Sequence, residues 1–166
     1  MTETILKPTA VQEKADREPK PLRVCFVCTG NTCRSPMAEA LANAMAKEAG
    51  RSIEAFSAGL FASGEPMAKN AILALSNAKI PEVHPYRLHL SHSLTEKEAK
   101  SYDRLIGVTH RHALELFFRF PALVDKIVSL PHDVADPFGG DLAVYTACLE
   151  QLKQEIAELL FPEVAK

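Results

Sequence analysis

The sequence predicts an α/β fold in which a parallel β-sheet carries helices on both faces. Short apolar segments rich in β-branched and aromatic residues alternate along the chain with segments whose apolar residues recur at helical spacing. This alternation is typical of parallel sheets with right-handed crossover connections. Apolar residues make up 47% of the 166 residues and charged residues 24%, as in ordinary soluble globular proteins.

The first half of the chain carries local signals for two strands and two helices. Ser35–Pro36 places a capping residue and a proline where a helix begins, and Gly50 suits a helix end. In the second helix, Ile72, Leu73 and Leu75 are expected to face the core. The predicted elements are a strand over Leu22–Cys28, a helix from Ser35 to Gly50, a strand over Ile53–Ser57 and a helix over Met67–Ala78.

The second half carries signals for three helices and two strands. Thr95 and Glu98 form a capping-box pattern, and Pro121 ends a later helix. The last helix has one apolar stripe between Leu142 and Leu159. The predicted elements are a short helix ending at Tyr102, a strand over Leu105–Thr109, a helix over Arg111–Phe118, a strand over Lys126–Leu130 and this final helix.

Composition and charge argue against several classes of protein. The 19 basic and 21 acidic side chains leave a net charge of −2, which disfavours nucleic acid or an anionic membrane as a partner. No apolar run approaches the roughly 18 residues of a membrane span, and the N-terminus lacks a signal-peptide apolar region. Clustering of Cys25, Cys28 and Cys33 suits an intracellular reactive or metal site better than a secreted disulfide framework. We expect a cytoplasmic monomer.

Residues 1–21 differ from the rest of the chain. They hold four acidic side chains, four basic side chains and three prolines, with little apolar content. This composition predicts a disordered tail, because too little apolar surface is available to offset the entropy of ordering. We interpret the tail as a spacer rather than a targeting segment. Residues 22–166 are expected to form a single domain, since domains usually contain about 100–200 residues.

Two loops are rich in chemically active residues. One follows the first predicted strand at Cys28–Ser35, and the other follows the fourth strand at Pro131–Asp141. Ligands of parallel sheets bind at the carboxyl ends of the strands. We therefore expect both loops to meet at one edge of the sheet and to form one site.

The first loop has the features of a phosphate-binding cup. Gly30 and Asn31 tolerate unusual dihedral angles and can turn successive amides inward, and a helix N-terminus follows. Arg34 can grip two phosphate oxygens with its planar guanidinium. These donors favour a thiolate at Cys28, a nucleophile that would form a covalent phosphoryl-enzyme. The whole segment is expected to bind phosphate, namely Cys28, Thr29, Gly30, Asn31, Thr32, Cys33, Arg34 and Ser35.

Other interpretations of these residues are weaker. Cys25 and Cys28 have the spacing of a redox pair, but Cys25 falls inside the strand. A metal bound by Cys25, Cys28 and Cys33 would need Cys148 or a distant histidine as fourth ligand. The six histidines have no cysteine or carboxylate at convincing ligand spacing, and we expect them on the surface or bracing loops. No Gly-Lys-Ser/Thr follows the loop glycine, which excludes a nucleoside-triphosphate loop.

The segment Val27–Glu39 resembles the signature of the low-molecular-weight protein-tyrosine-phosphatase family, and the resemblance extends from about residue 22 to the last residue. It implies a flavodoxin-like, four-stranded parallel sheet with strand order 2-1-3-4. It also implies a cysteinyl-phosphate mechanism on phosphorylated proteins, with no metal and no cofactor. Further motifs of the family correspond to Ser57–Gly59, His89, Asp103 and Asp136–Gly140.

The second loop is expected to supply the proton donor that the leaving group needs. Asp136 is the best candidate because it lies in a turn-rich segment, and the resemblance gives it the general-acid role. Asp133 and Asp141 are the nearby alternatives, of which Asp141 better suits the cap of the last helix. The resemblance also implies that Ser35 donates a hydrogen bond to the Cys28 sulfur. The side chains implied to brace the cup are Asn31, Ser57 and His89.

Thr32 bears on the identity of the substrate. Tyrosine phosphatases of this family usually carry an aliphatic residue there, whereas the branch that acts on phosphoarginine has threonine. A hydroxyl can pair with the N–H groups of a phosphoguanidinium, which an isoleucine would leave unpaired at a cost of roughly 1–3 kcal/mol. Phe138 is the one aromatic residue of the second loop and can lie along an arginine stem. We hypothesise a protein arginine phosphatase in which Asp136 protonates the departing nitrogen.

Three alternatives stay open. A tyrosine phosphatase would use the same catalytic residues but differ at the rim of the cup, where Thr32 lies. An arsenate reductase needs further cysteines, and none lies between Cys33 and Cys148. A redox-sensing oxyanion-binding module would join Cys28 and Cys33 in a disulfide, which we interpret as a regulatory addition to an enzyme.

Overall fold

The structure, a computed structural model, describes residues 20–164 and contains the parallel sheet that the sequence predicts. Every neighbouring pair of strands is parallel, and the strand order is β2-β1-β3-β4. Fold class and strand order are therefore confirmed, whereas the predicted tail lies almost wholly outside the described residues. The strands are β1 (Leu22–Cys28), β2 (Ile53–Gly59), β3 (Arg104–Gly107) and β4 (Ile127–Ser129).

Helices cover both faces of the sheet. One face buries Val24 and Phe26 against α1, α2 and α5, and the other buries Cys25 and Val27 against α3 and α4. None of the helices in residues 20–164 is long and apolar enough to cross a membrane. The α-helices are α1 (Arg34–Ala49), α2 (Lys69–Asn77), α3 (Glu96–Ser101), α4 (His110–Arg119) and α5 (Leu142–Leu160), and 3₁₀ helices that we did not predict cover Tyr86–Leu88 and Pro121–Lys126.

Three helix ends are formed by the capping residues that the sequence predicts. Gly50 ends α1 in the left-handed conformation, with φ of 64°. Thr95 accepts a hydrogen bond from the Glu98 amide at the start of α3, and Asp141 caps α5 through the Val144 amide. These ends are set by contacts within one helical turn, which the local sequence specifies.

Two predictions about helices are wrong. The first helix begins at Arg34 rather than after Ser35, with Cys33 at the N-cap and no side-chain cap. The Ser35 hydroxyl bonds within the cup instead and is not available as a cap. Leu73 is exposed, because the buried face of α2 is formed by Ala71, Ala74 and Leu75, and Leu73 points about 200° away from Ala71.

Asn43 of α1 covers the exposed edge of the sheet. Strand β2 lies at the edge, so the outward-facing amide and carbonyl of Ala55 have no neighbouring strand. The Asn43 side chain replaces that neighbour, because its Nδ2 donates to Ala55 O at 3.0 Å and its Oδ1 accepts from Ala55 N at 2.8 Å. The pair fixes α1, and with it the cup at its N-terminus, to the sheet.

The cup lies at the point where the strand order reverses, between β1 and β3, which is where parallel sheets bind ligands. Glycines permit close approach there. A Cβ at Gly59 would lie 2.7 Å from Thr29 O, and one at Gly107 would lie 2.5 Å from Ala113 N. The end of β2 therefore reaches the cup, and the start of α4 lies against the end of β3.

His112 connects α4 to the cup. Its Nε2 lies 3.0 Å from Thr29 Oγ1 and its Nδ1 lies 2.8 Å from Thr109 Oγ1. Burial lowers the pKa of this imidazole to about 4, and the positive charge of Arg34 contributes to the shift. The ring is therefore neutral in the folded protein at pH 7.

We predict that acidification destabilises the fold through His112. Between about pH 6.5 and about pH 4 the unfolded chain binds a proton at this residue that the folded chain does not. Above that pH window, His112 makes its full contribution to the free energy of unfolding. It falls by at most about 1.4 kcal/mol per pH unit as pH decreases through the window. The free energy of unfolding, measured by urea denaturation between pH 7 and pH 4, should depend less steeply on pH in His112→Gln than in the wild type. Equal slopes of this free energy against pH would contradict the role given to His112.

Candidate active site

A cleft of about 220 Å³ opens at the carboxyl end of β1. Its floor and one wall are formed by the continuous segment Cys28–Arg34. Asp136 and Phe138 reach it from the loop after β4, which confirms that the two chemically active loops meet. A third loop, after β2, completes the cleft with Phe61, Ser63 and Glu65.

A chain of polar contacts ends on the Cys28 sulfur at the floor of the cleft. Asn31 Nδ2 donates to Ser35 Oγ at 2.8 Å, and Ser35 Oγ lies 2.9 Å from Cys28 Sγ. The serine hydroxyl thus accepts from Asn31, and its single hydrogen has the sulfur as its nearest acceptor. Ala58 O, the other acceptor in reach, is 3.5 Å away. This polarity favours negative charge on Cys28.

Asn31 carries the strained backbone of the cup. Its φ is 57°, in the left-handed region that non-glycine residues seldom adopt. His89 Nε2 donates to Asn31 O at 2.8 Å, and the His92 amide donates to Asn31 Oδ1 at 3.2 Å. The structure therefore places His89 where a bracing residue was expected.

Gly30, which we also expected to use unusual dihedral angles, has no positive φ. A Cβ added to Gly30 would have Thr32 Oγ1 as its nearest neighbour, at 3.9 Å.

Ser57 does not brace the cup through its side chain, and the prediction for this residue is wrong. Its hydroxyl is buried and has no hydrogen-bond partner among the described residues. In the sheet Ser57 pairs with Phe26, two residues before the end of β1 at Cys28. The side chain therefore projects from the sheet below the cup.

Arg34 is held at the cleft by one hydrogen bond to the backbone and by an ion pair. It is 8% exposed, and its Nη1 donates to Val134 O at 3.0 Å. Its Nη2 lies 3.7 Å from Asp136 Oδ2. Since Cys33 offers no side-chain cap, the first amides of α1 remain available to an anion together with this guanidinium.

Asp136 is the acidic residue of its loop that reaches the cleft. One of its oxygens accepts from the Phe138 amide at 3.1 Å, and the other faces Arg34. Asp133 instead bonds the amide and imidazole of His110, and these hydrogen bonds lower the pKa of its carboxyl group. Asp141 caps α5. The two alternative acids therefore have structural roles outside the cleft.

The loop that carries Asp136 has an anchored base and an exposed tip. His132 N donates to the buried carboxylate of Glu155 at 2.8 Å, and Gln151 Nε2 donates to Asp133 O at 3.0 Å. Beyond Asp136, Phe138 is 77% exposed and Gly139 has φ of 81°. The base is therefore fixed to α5, while the tip presents a phenyl ring beside the cup.

The cysteines do not form one cluster. Cys25 and Cys28 face opposite sides of the sheet, which rules out the redox pair and the shared metal ion considered from their spacing. Burial raises the pKa values of Cys25, Cys33 and Cys148, the last to about 12. Cys33 Sγ lies 3.3 Å from the Tyr145 hydroxyl. These thiols are poorer nucleophiles than an exposed cysteine.

The six histidines each have their own partner rather than a common ligand. The contacts join His84 with Glu39, His89 with Asn31, His92 with Glu98, His110 with Asp133, His112 with Thr29 and Thr109, and His132 with Glu155. Among residues 20–164 the one group with metal-like spacing is His132, Glu155 and Glu158, and none of these lines the cleft.

Several site residues were missed from the sequence. Phe61, Ser63 and Glu65 have no motif of their own, and only the strand order, which places β2 beside β1, indicates that they approach the cup. Arg119 holds Phe61, because its guanidinium lies 4.4 Å from the ring centre and donates to Leu60 O at 2.8 Å. Two phenyl rings, Phe61 and Phe138, therefore flank the mouth of the cleft.

Known proteins of similar sequence and structure are phosphatases. A protein-arginine-phosphatase of Bacillus subtilis is 39% identical over 145 residues, covering 82% of this chain and 91% of the relative. The tyrosine phosphatase PtpB of Staphylococcus haemolyticus is 31% identical over 144 residues, covering 83% and 97%. A solved structure of YwlE arginine phosphatase, a cysteine-to-serine mutant with a phosphorylated active-site serine, matches with TM-score 0.75 and 36% identity, covering 82% and 92%.

The family model described as low molecular weight phosphotyrosine protein phosphatase matches residues 23–166. This match confirms the resemblance carried by the cup and by the loop of Asp136. The chain belongs to the low molecular weight phosphotyrosine protein phosphatase family.

Proposed function

We propose that this chain is a protein phosphatase that hydrolyses phosphoarginine residues through a cysteinyl-phosphate intermediate. The observation that carries the proposal is one cleft in which the Cys28 sulfur, an anion cup and the Asp136 carboxyl group converge. The same cleft has a threonine, Thr32, at its rim. The name of the Bacillus subtilis relative, protein-arginine-phosphatase, supports this choice of substrate.

In the first step the Cys28 thiolate attacks phosphorus. The sulfur–phosphorus bond forms as the phosphorus–nitrogen bond breaks, and the departing guanidine nitrogen takes a proton from Asp136. Arg34 and the amides at the start of α1 stabilise the charge on the equatorial phosphoryl oxygens. The phosphorylated serine of the YwlE mutant supports a covalent intermediate at this position.

In the second step water attacks the cysteinyl-phosphate. The Asp136 carboxylate accepts a proton from this water, a new oxygen–phosphorus bond forms, and inorganic phosphate is released as the sulfur–phosphorus bond breaks. Cys28 departs as a thiolate, and the hydrogen bond from Ser35 stabilises the charge that returns to the sulfur.

Hydrolysis of phosphotyrosine is the second candidate. The Staphylococcus haemolyticus relative is named a protein-tyrosine-phosphatase, and the rings of Phe61 and Phe138 could pack against a phenyl group. Thr32 favours arginine over tyrosine, because its half-buried hydroxyl can accept a hydrogen bond from a phosphoguanidinium N–H. An aromatic ring has no such donor to offer.

The partners we propose are phosphorylated proteins, and the proposed compartment is the cytoplasm. The mechanism requires a reduced thiol at Cys28, and cytosolic reductants maintain thiols in that state. All four cysteines are free in the structure.

The proposed activity is tested by assaying two phosphopeptides of the same flanking sequence, one with phosphoarginine and one with phosphotyrosine, under reducing conditions. We expect a higher kcat/KM for phosphoarginine, and a phosphate adduct on Cys28 in rapidly quenched samples examined by intact-protein mass spectrometry. The Cys28→Ser variant should have no turnover. Hydrolysis of phosphotyrosine alone would replace the proposed substrate, and turnover by Cys28→Ser would exclude the covalent mechanism.

The effect of removing the proton donor on kcat should depend on the leaving group of the substrate. We expect Asp136→Asn to lower kcat on phosphoarginine peptides by about 10²–10⁴-fold, the usual contribution of general acid catalysis. The loss should be much smaller with p-nitrophenyl phosphate, whose leaving group needs no proton. The control is Asp133→Asn, which removes an acid outside the cleft. Equal losses on both substrates would contradict the role of Asp136.

Thr32 should set the ratio between the two substrates. Thr32→Ile removes the rim hydroxyl, and we expect the phosphoarginine-to-phosphotyrosine ratio of kcat/KM to fall about tenfold or more. Thr32→Ser keeps the hydroxyl and should retain most of the wild-type ratio. An unchanged ratio in Thr32→Ile would show that this residue does not select the substrate.

A further inference from the structure

Glu65 is a charged residue of the cleft that the proposed reaction does not use. It lies in the loop after β2 and lines the cleft together with Phe61 and Ser63. Among residues 20–164 no ion pair or side-chain hydrogen bond involves its carboxylate. The other carboxylate of the cleft, Asp136, is matched by the guanidinium of Arg34 at 3.7 Å. Glu65 is therefore an exposed carboxylate of this site that has no protein partner among the described residues.

The backbone of Glu65 is held firmly at the wall. Its amide donates to Ser91 Oγ at 2.8 Å, and the Ser91 amide donates back to Glu65 O at 2.7 Å. Ser91 is only 4% exposed, so both contacts are shielded from water. The next residue, Pro66, pairs with Leu90 in an isolated antiparallel bridge. These contacts fix the position from which the carboxylate extends.

The charges of the cleft are arranged in two layers. Arg34 and the amides of the cup form a positive floor, and Glu65 adds a negative group to the wall. A ligand that is only an anion gains from the floor but is repelled by the wall. A ligand that carries an anion and, next to it, a cation gains from both layers. Phosphoarginine has this arrangement, because its phosphoryl group is attached directly to a guanidinium.

We propose that the Glu65 carboxylate binds the guanidinium of the phosphoarginine substrate and thereby selects it against phosphotyrosine. The inference rests on the proposed function and names a further specificity residue for it. The planar guanidinium offers N–H groups that suit a carboxylate, and such charge-assisted hydrogen bonds are stronger than neutral ones. The aromatic walls contribute little to this choice, since Phe61 and Phe138 can pack against a phenyl ring or a guanidinium plane.

A charge series at position 65 tests this proposal. Glu65→Gln keeps the shape of the side chain and removes the charge, and Glu65→Lys reverses it. We expect kcat/KM for the phosphoarginine peptide to fall about tenfold in Glu65→Gln and further in Glu65→Lys. For the phosphotyrosine peptide of the same flanking sequence, kcat/KM should stay level or rise. The control is Glu150→Gln, which removes an exposed carboxylate of α5 and should leave both values within about twofold.

Two further measurements separate recognition from a structural effect. Melting temperatures of the variants should equal that of the wild type, since the backbone contacts of Glu65 do not involve its side chain. Increasing ionic strength should reduce the phosphoarginine preference of the wild type but not that of Glu65→Gln, because salt screens the charge pair.

The outcomes distinguish this inference from the proposed function. Suppose that the wild type hydrolyses phosphoarginine and that Glu65→Gln lowers kcat/KM equally for both substrates or for neither. The role of Glu65 is then overturned, and the proposed function stands. If the wild type hydrolyses phosphotyrosine but not phosphoarginine, both are overturned. A fall in kcat/KM for phosphoarginine across the charge series, with the value for phosphotyrosine level or higher, supports the proposal.

Discussion

The hydrogen bonds that pass from Asn31 through Ser35 to the Cys28 sulfur are the interaction on which the site depends. Asn31 makes its contact with the serine from a left-handed backbone conformation. That strain is held by His89 and His92, both from the segment between the 3₁₀ helix Tyr86–Leu88 and α3. The cup therefore forms only when distant parts of the chain have folded around it.

α1 begins without a side-chain cap because Cys33 occupies the N-cap position. Ser35 is a good capping residue, but it lies inside the first turn of α1, where its hydroxyl contacts Asn31 and Cys28. An uncapped N-terminus is usually unfavourable. At this site it keeps donors ready for a phosphoryl group, so local stability is exchanged for binding of an anion.

The mouth of the cleft differs in character from its floor. The floor is built from backbone amides, Arg34 and a sulfur held by short contacts, and it suits any phosphoryl group. The mouth brings together Thr32, Glu65, Asp136 and two exposed phenyl rings from three separate loops. The floor thus accounts for the chemistry shared by phosphatases of this family. The mouth is where a guanidinium and a phenyl group would meet different surroundings.

Local sequence patterns determined the strand–cup–helix unit and the caps Thr95 and Asp141, because each depends on residues within about one helical turn. Asp136 was a candidate from its turn-rich segment and the family resemblance, and its approach to Arg34 is a tertiary contact. The tertiary structure alone decided that Phe61 and Glu65 border the cup, that Ser57 does not brace it and that Leu73 faces solvent. It also joined His112 to Thr29, which lie 83 positions apart. Such contacts depend on strand order and on the face that each element buries, and no short segment of sequence contains that information.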